Sequence, residues 1–130
     1  MTLADPTTRT LLDLAEAKQR SADAVRSWER RLVEISHEIH DDPEIAFEEV
    51  RAANLVAGAL RDAGFTATVG AFGVDTAIDA SFGDGEFVVA ICAEYDALPV
   101  IGHACGHNVI AAAGLGAAIA LAAIADDAGL

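Results

Sequence analysis

The residues best suited to metal chemistry fall in one short stretch, between Glu94 and Asn108. Asp96, Cys105 and His107 supply a carboxylate, a thiol and an imidazole within twelve positions. A thiolate and a neutral imidazole are both ligands for zinc and comparable metals, and the glycine between them removes a side chain that would crowd an ion. The same spacing also fits a buried thiol beside a histidine that caps a helix, so the pattern indicates a metal site without establishing one.

Two neighbouring side chains are expected to support this stretch. His103 is expected to shape the loop, or to hold a metal ligand in place through a hydrogen bond. Asn108 is a candidate N-cap of the helix that follows, because its side-chain oxygen can accept from the first free backbone N–H groups.

Two other groups of polar residues are interpreted as ordinary surface. His37 and His40 lie three positions apart on a predicted helix, which could suit a metal, but the acids beside them are typical of a solvated helix end. Glu44, Glu48 and Glu49 are expected at a helix start, where carboxylates interact favourably with the helix macrodipole.

The first elements that position this stretch are predicted from apolar periodicity. Residues 1–24 form a polar, Ala-rich helical arm, and residues 25–130 form the domain. Apolar residues at Val25–Ile39 recur in steps of three and four, which predicts a helix with one buried face that ends before Pro43. A second helix is predicted at 47–63, with a glycine after it as the C-terminal cap.

Three strands and a helix are predicted in the remaining chain. Residues 65–69 and 74–80 alternate apolar and polar side chains, as in half-buried strands separated by a glycine-bracketed turn. Residues 87–93 (FVVAICA) are continuously apolar, which is typical of a central strand buried on both faces. Cys92 within it is expected to be a small core residue. An Ala-rich helix is predicted at about 108–125.

The order of these elements predicts a layered α/β domain. Ligands of open α/β sheets gather beyond the carboxyl ends of the strands, and Glu94, Tyr95 and Asp96 directly follow the strongest strand. The backbone N–H groups at the start of the next helix point into the same space. Both features place a binding site in the loop between strand and helix.

Charge and composition exclude several classes of partner. Acids outnumber bases by 21 to 8, giving a net charge of −13, so neither nucleic acid nor an anionic membrane surface is expected as a partner. Two cysteines do not make a disulfide framework, and the N-terminus lacks the apolar run of a signal peptide, which predicts a cytoplasmic protein. The uncharged residues 109–125 are expected to form a buried helix rather than a membrane span.

Two motifs resemble one enzyme family. The sequence EYDALP at 94–99, followed by GHACGHN at 102–108, is similar to the metallopeptidase and amidohydrolase family of aminoacylase, hippurate hydrolase, auxin-conjugate hydrolase and aminobenzoyl-glutamate hydrolase. The branch of aminobenzoyl-glutamate hydrolase and aminoacylase-like dipeptidases is the one it most resembles. Residues 37–49 (HEIHDDPEIAFEE) resemble the first-helix signature of that family, so the likeness covers about residues 30–127.

The resemblance implies a two-metal amide hydrolase with the layered α/β fold of the zinc exopeptidases. It implies that Cys105 and His107 bind metal and that Asp96 is the catalytic aspartate that orients the site. Two divalent ions, zinc or manganese, are implied in a complete protein. The implied substrates are N-acyl amino acids, aminobenzoyl-glutamate-like conjugates or dipeptides. Glu94 stands where some branches carry a metal-binding histidine, and it is not assigned as a ligand.

Members of the resembled family are much longer than this chain. The resemblance therefore implies the N-terminal part of a catalytic domain, incomplete at its C-terminus, because the catalytic glutamate and the remaining ligands match positions beyond Leu130. Two ligands do not make a tight site, since catalytic zinc has about three protein ligands. Little amide hydrolysis is accordingly expected from the chain alone.

Two alternatives to a working enzyme stay open. The chain could be a catalytically silent remnant, or a subunit that needs a separate C-terminal portion, and a homo-oligomer is also open. A plain acidic α/β module with a fortuitous Cys-x-His sequence is the remaining interpretation.

Overall fold

The computed structural model describes residues 12–130, so the part of the predicted helical arm at residues 1–11 lies outside the described residues. Two long helices come first, then a strand hairpin, then a third long helix and a single helical turn. Their bounds are α1 Leu14–Asp41, α2 Val50–Asp62, β1 Thr66–Val69, β2 Ile78–Ser81, α3 His107–Ala122 and α4 Ala125–Ala128. This mixture of packed helices with a small sheet is an α/β arrangement, as predicted.

Helix α1 carries the apolar face that its periodicity predicts. Leu32, Ile35 and Ile39 are buried, and the helix ends at Asp41, just before Pro43, because proline disfavours helical backbone in the residue that precedes it. The helix runs without interruption across residues 24 and 25. The division into an arm and a domain at that point stays a prediction.

The core lies where α1, α2 and α3 meet, and α1 packs along α3. Small side chains allow this close approach: a Cβ added at Gly116 of α3 would lie 3.2 Å from Cδ1 of Leu32. The core cluster consists of buried aliphatic residues and alanines, and its members are Leu32, Ile35, Ile39, Ala52, Val56, Ala59, Leu60, Ala111, Leu115 and Ile119. The three packed helices therefore form the scaffold that supports the loop of residues 94–106.

Helix α2 begins later than predicted and is capped from a distance. The predicted start at Phe47 is wrong, because Phe47 has a φ of 69° and the helix starts at Val50. The carboxylate of Glu44 accepts hydrogen bonds from the backbone N–H groups of Arg51 (3.0 Å) and Ala52 (2.9 Å). A carboxylate at this end also interacts favourably with the helix macrodipole, as predicted for this acid.

The end of α2 follows the prediction. Gly64 adopts a φ of 91°, a conformation that favours glycine, and its N–H bonds to the carbonyl of Arg61 at 2.9 Å. The N–H of Phe65 reaches back to the carbonyl of Leu60 at 3.0 Å, which completes a Schellman cap.

The hairpin is shorter than its sequence pattern predicts. Strand β1 lies within the predicted range and pairs antiparallel with β2, so that Thr66 faces Ser81 and Val69 faces Ile78. The prediction of a strand over 74–80 is wrong at its start, since residues 71–73 form a 3-10 turn and the strand begins at Ile78.

The predicted central strand at residues 87–93 is wrong. Between residues 12 and 130 only one amide of this run, that of Phe87, has a backbone partner, the carbonyl of Gly129 at 3.1 Å. Val88 is 91% exposed, and Cys92, predicted to be a core residue, is exposed as well. The reason is that, in the described part of the chain, β1 and β2 pair only with each other, so no neighbouring strand satisfies the backbone of this run or covers its faces.

Helix α3 is buried along one side, as its Ala-rich sequence predicts. Ala111, Leu115 and Ile119 face the core, whereas Val109 and Ile110 near its start are exposed. No helix within residues 12–130 has the length and apolar content needed to cross a membrane.

Candidate functional site

The loop of residues 94–106 is anchored where it leaves the run at 87–93. The N–H of Ala97 donates to the carbonyl of Glu44 at 2.7 Å, and Ala97 is buried. Leu98 and Gly102 then exchange two backbone hydrogen bonds, of 2.9 and 3.0 Å, which close a tight turn. These contacts fix the position of Asp96, the residue just before the first anchor.

Asp96 and His107 contact each other across this loop. Oδ1 of Asp96 lies 2.7 Å from Nδ1 of His107, and the Asp96 carbonyl oxygen lies 3.0 Å from the same nitrogen. Both side chains are partly buried. Two acceptors around Nδ1 favour the tautomer that carries its proton there, which leaves Nε2 free to bind an ion. This is the contact that a metal-binding histidine and its orienting carboxylate require.

Cys105 precedes the start of α3, which begins at His107. The Cys105 side chain is exposed, and Gly106 is the N-cap of α3 at a φ of 76°. The prediction of Asn108 as the N-cap is therefore wrong. Asn108 lies inside the first turn, buried, and its amide donates to the carbonyl (3.2 Å) and hydroxyl (3.0 Å) oxygens of Ser36. Asn108 thus joins α3 to α1 and holds the residue before it, His107, in register.

His103 lies within the loop, near His40 at the end of α1. Neither ring nitrogen has a hydrogen-bond partner among residues 12–130, and its ring centroid is 6.3 Å from that of His40. Burial lowers the pKa of His103. The position suits the predicted loop-shaping role, and His40 is exposed, as expected for a helix end.

Among residues 12–130 the donor set for a metal is incomplete. Within the described residues, no three His, Cys, Asp or Glu side chains come together closely enough to hold an ion. Cys105 and His107 fit zinc or manganese by chemistry, but two ligands are fewer than the three of a catalytic zinc site. Glu94 is exposed, and it remains unassigned.

Sequence reasoning missed a buried carboxylate near the site. Glu49 is 7% exposed, and its Oε2 has no hydrogen-bond partner in the described chain. It lines a groove of about 870 Å³ together with Tyr95 and Asp96. Nothing local distinguishes Glu49 from Glu48 beside it, because burial is decided by the packing of α2 against the rest of the fold.

The environment of Tyr95 leads us to expect that the folded chain loses stability in alkaline solution. Its hydroxyl donates to the carbonyl of Thr76, and burial, with Glu49 nearby, raises its pKa from 10.0 to about 12. Between these values the unfolded chain binds fewer protons than the folded one, so the free energy of unfolding falls as pH rises. The contribution of the protonated Tyr95 hydroxyl to the free energy of unfolding is expected to be present in full below pH 10 and to be lost as the pH approaches about 12.

Urea unfolding at a series of pH values measures this effect. The control is Tyr95→Phe, which removes the only tyrosine of the sequence and therefore the titrating phenol. An equal alkaline loss in the wild-type chain and in Tyr95→Phe would contradict the assignment.

Comparison with known proteins gives relatives of one kind. No family model matches the sequence. A p-aminobenzoyl-glutamate hydrolase subunit of Escherichia coli is 38% identical over 76% of this chain and 24% of its own length. The Xaa-Arg dipeptidase of Mus musculus is 37% identical over 92% of this chain and 30% of its own. Thermostable carboxypeptidase 2 of Saccharolobus solfataricus is 30% identical over 85% of this chain and 31% of its own length. The chain thus spans between 24% and 31% of the length of these relatives.

Proposed function

This chain belongs to the amidohydrolase and peptidase family of those relatives over the region it shares with them, and from that membership we propose that it carries part of the site of a metal-dependent amide hydrolase. The substrates we propose are N-acyl amino acids, aminobenzoyl-glutamate-like conjugates or dipeptides. The names of the relatives support amide and peptide substrates.

The observation that carries this proposal is the 2.7 Å contact between Oδ1 of Asp96 and Nδ1 of His107. A carboxylate in this position fixes the imidazole ring and leaves the opposite nitrogen, Nε2, free to bind an ion. His107 and the thiolate of Cys105 would hold the ion, and a complete protein would hold two, of zinc or manganese. When bound, a divalent ion supplies Lewis-acid polarisation of the amide carbonyl and a more acidic water.

A chimera tests this proposal without requiring a complete site from this chain alone. In it, the matched region of the Escherichia coli relative is replaced by the corresponding residues of this chain, where the two are 38% identical over 116 residues. We expect the folded chimera to hydrolyse p-aminobenzoyl-glutamate in the presence of zinc or manganese. We expect Cys105→Ala in the chimera to abolish this activity, and Cys92→Ala to retain it as the matched control.

A folded chimera that binds metal and leaves p-aminobenzoyl-glutamate intact, with N-acetyl amino acids and dipeptides equally untouched, would sink the proposal. Full activity in the Cys105→Ala chimera would instead show that Cys105 is not a metal ligand, while the proposed hydrolase function would stand.

A second candidate is a catalytically silent chain, or a subunit that works only with a separate C-terminal portion. The incomplete donor set and the uncovered run at residues 87–93 favour it. Under this candidate the isolated chain shows little hydrolysis and a complementing polypeptide restores it. We also propose a cytoplasmic setting, because both cysteines of the sequence are free and make no disulfide framework.

A further inference from the structure

The side chain of Tyr95 ties the residue before Asp96 to the hairpin. Its hydroxyl donates a hydrogen bond to the carbonyl oxygen of Thr76, which lies just before β2. Thr76 is 4% exposed, and among residues 12–130 no backbone N–H donates to this carbonyl. A buried acceptor without a partner is costly, so the hydroxyl and the carbonyl hold each other in place.

The aromatic ring of Tyr95 adds a second restraint. The ring is partly buried and packs against the cluster of buried residues from the three long helices. A ring that is packed along its body and hydrogen-bonded at its tip is held in one rotamer. The backbone at Tyr95 is therefore fixed relative to both the hairpin and the helical core.

Asp96 consequently lies between two anchors. On its C-terminal side, the N–H of Ala97 donates to the carbonyl of Glu44 at 2.7 Å. On its N-terminal side, the hydroxyl of Tyr95 donates to the carbonyl of Thr76. The two acceptors belong to separate parts of the fold, because one precedes α2 and the other precedes β2. Asp96 is thus restrained from two directions.

The contact with His107 uses two oxygen atoms of Asp96. Oδ1 lies 2.7 Å and the carbonyl oxygen 3.0 Å from Nδ1 of the ring. Both distances hold only in a narrow range of backbone orientations, because the side chain and the carbonyl leave the residue in different directions. Release of the anchor at Tyr95 lets this backbone rotate, so that the carbonyl oxygen moves away from Nδ1. The ring then loses part of its preference for a proton on Nδ1.

We propose that Tyr95 is a positioning residue for His107: by binding Thr76 it holds Asp96 so that Nδ1 of the imidazole keeps its proton and Nε2 stays free for a metal ion. The inference deepens the proposed hydrolase function and rests on it. The plain alternative is that the hydroxyl of Tyr95 only stabilises the fold. The tautomer of His107 is measured in the metal-free chain without turnover, so the inference can fail while the hydrolase proposal stands.

Tyr95→Phe removes the hydroxyl and keeps the ring. Long-range proton–nitrogen NMR spectra of the metal-free chain at about pH 8 report which nitrogen of each neutral imidazole carries the proton. His107→Ala assigns the signals of His107, and His37, which is exposed, gives an internal reference. We expect mainly the Nδ1–H form of His107 in the wild-type chain. In Tyr95→Phe the ratio of the Nδ1–H to the Nε2–H form should fall about two- to tenfold, as for the loss of one hydrogen bond.

Ser21→Ala is the matched control, because it also removes one hydroxyl that donates to a backbone carbonyl. The acceptor is Ala120, at 3.1 Å, and the bond joins α1 to the far end of α3. We expect the tautomer ratio of His107 to be unchanged in Ser21→Ala. Urea unfolding of both variants shows that they are folded and compares their losses of stability.

An unchanged tautomer ratio in Tyr95→Phe would overturn the inference and leave the hydroxyl with a stabilising role alone. An equal shift in Ser21→Ala would overturn it too, since the ratio would then follow overall stability. A wild-type His107 mainly in the Nε2–H form would remove the contact on which both proposals depend.

A measurement on the wild-type chain covers the case in which Tyr95→Phe does not fold. The sequence has one tyrosine, so an isotope label on the phenol gives a single signal. A hydroxyl proton that exchanges slowly, together with the Nδ1–H form of His107, supports the inference. A hydroxyl proton that exchanges as fast as that of free tyrosine contradicts it.

Discussion

Asp96→Asn is expected to weaken zinc binding by the folded chain by about ten- to a hundredfold. The carboxylate of Asp96 lies 2.7 Å from Nδ1 of His107, where it fixes the ring and favours the tautomer with Nε2 free. An amide in its place is neutral and can present an N–H to the ring nitrogen, which favours the wrong tautomer. Competition between the chain and a chromophoric zinc chelator at constant pH measures the affinity.

Two controls make this result specific. Asp62→Asn changes an exposed carboxylate at the end of α2 and should leave zinc affinity unchanged. His107→Ala should reduce zinc affinity at least as far as Asp96→Asn, because it removes the proposed ligand itself. Equal zinc affinity in the wild-type chain, Asp96→Asn and His107→Ala would show that zinc binds elsewhere.

Ile35→Ala is expected to lower the free energy of unfolding by about 2 to 5 kcal/mol. Ile35 is 0% exposed, the largest fully buried side chain among the described residues, and the truncation leaves a cavity between α1 and its neighbours. A domain of this size is stabilised by only about 5 to 15 kcal/mol, so a large share of the total would be lost. Urea unfolding followed by circular dichroism measures the change.

Val33→Ala is the matched control, because Val33 lies on the same helix with 50% of its surface exposed. We expect Val33→Ala to change the free energy of unfolding by less than about 0.5 kcal/mol. Similar small losses in both variants would mean that the helices pack loosely in solution.

Sequence patterns correctly predicted those features that depend on interactions between residues close together in the chain. The apolar face of α1 and the cap at Gly64 depend on residues a few positions apart, and both are confirmed. The start of α2 was misplaced because its cap comes from Glu44, which lies outside the helix.

The strand prediction at residues 87–93 failed for a different reason. Continuous apolar character indicates that a segment suits a two-sided interior, but a strand exists only where a neighbour pairs with it. Among the described residues no strand pairs with this segment, so it is apolar in composition but forms no ladder of backbone hydrogen bonds.

The site was predicted in part. The motif placed Asp96, Cys105 and His107 in one loop, and the structure brings Asp96 and His107 into contact. The partner of Asn108 could not be foreseen, since Ser36 lies 72 positions away in the sequence. Which residues bind metal stays a prediction.

The bond between Ala97 and Glu44 has a consequence for the order of folding. It joins residues more than fifty positions apart and closes a loop that contains all of α2 and the hairpin. Such a closure costs chain entropy that is recovered only after the enclosed elements have formed. We therefore expect the loop that carries Asp96 to become ordered late in folding. The three long helices should pack together before Asp96 reaches its position next to His107.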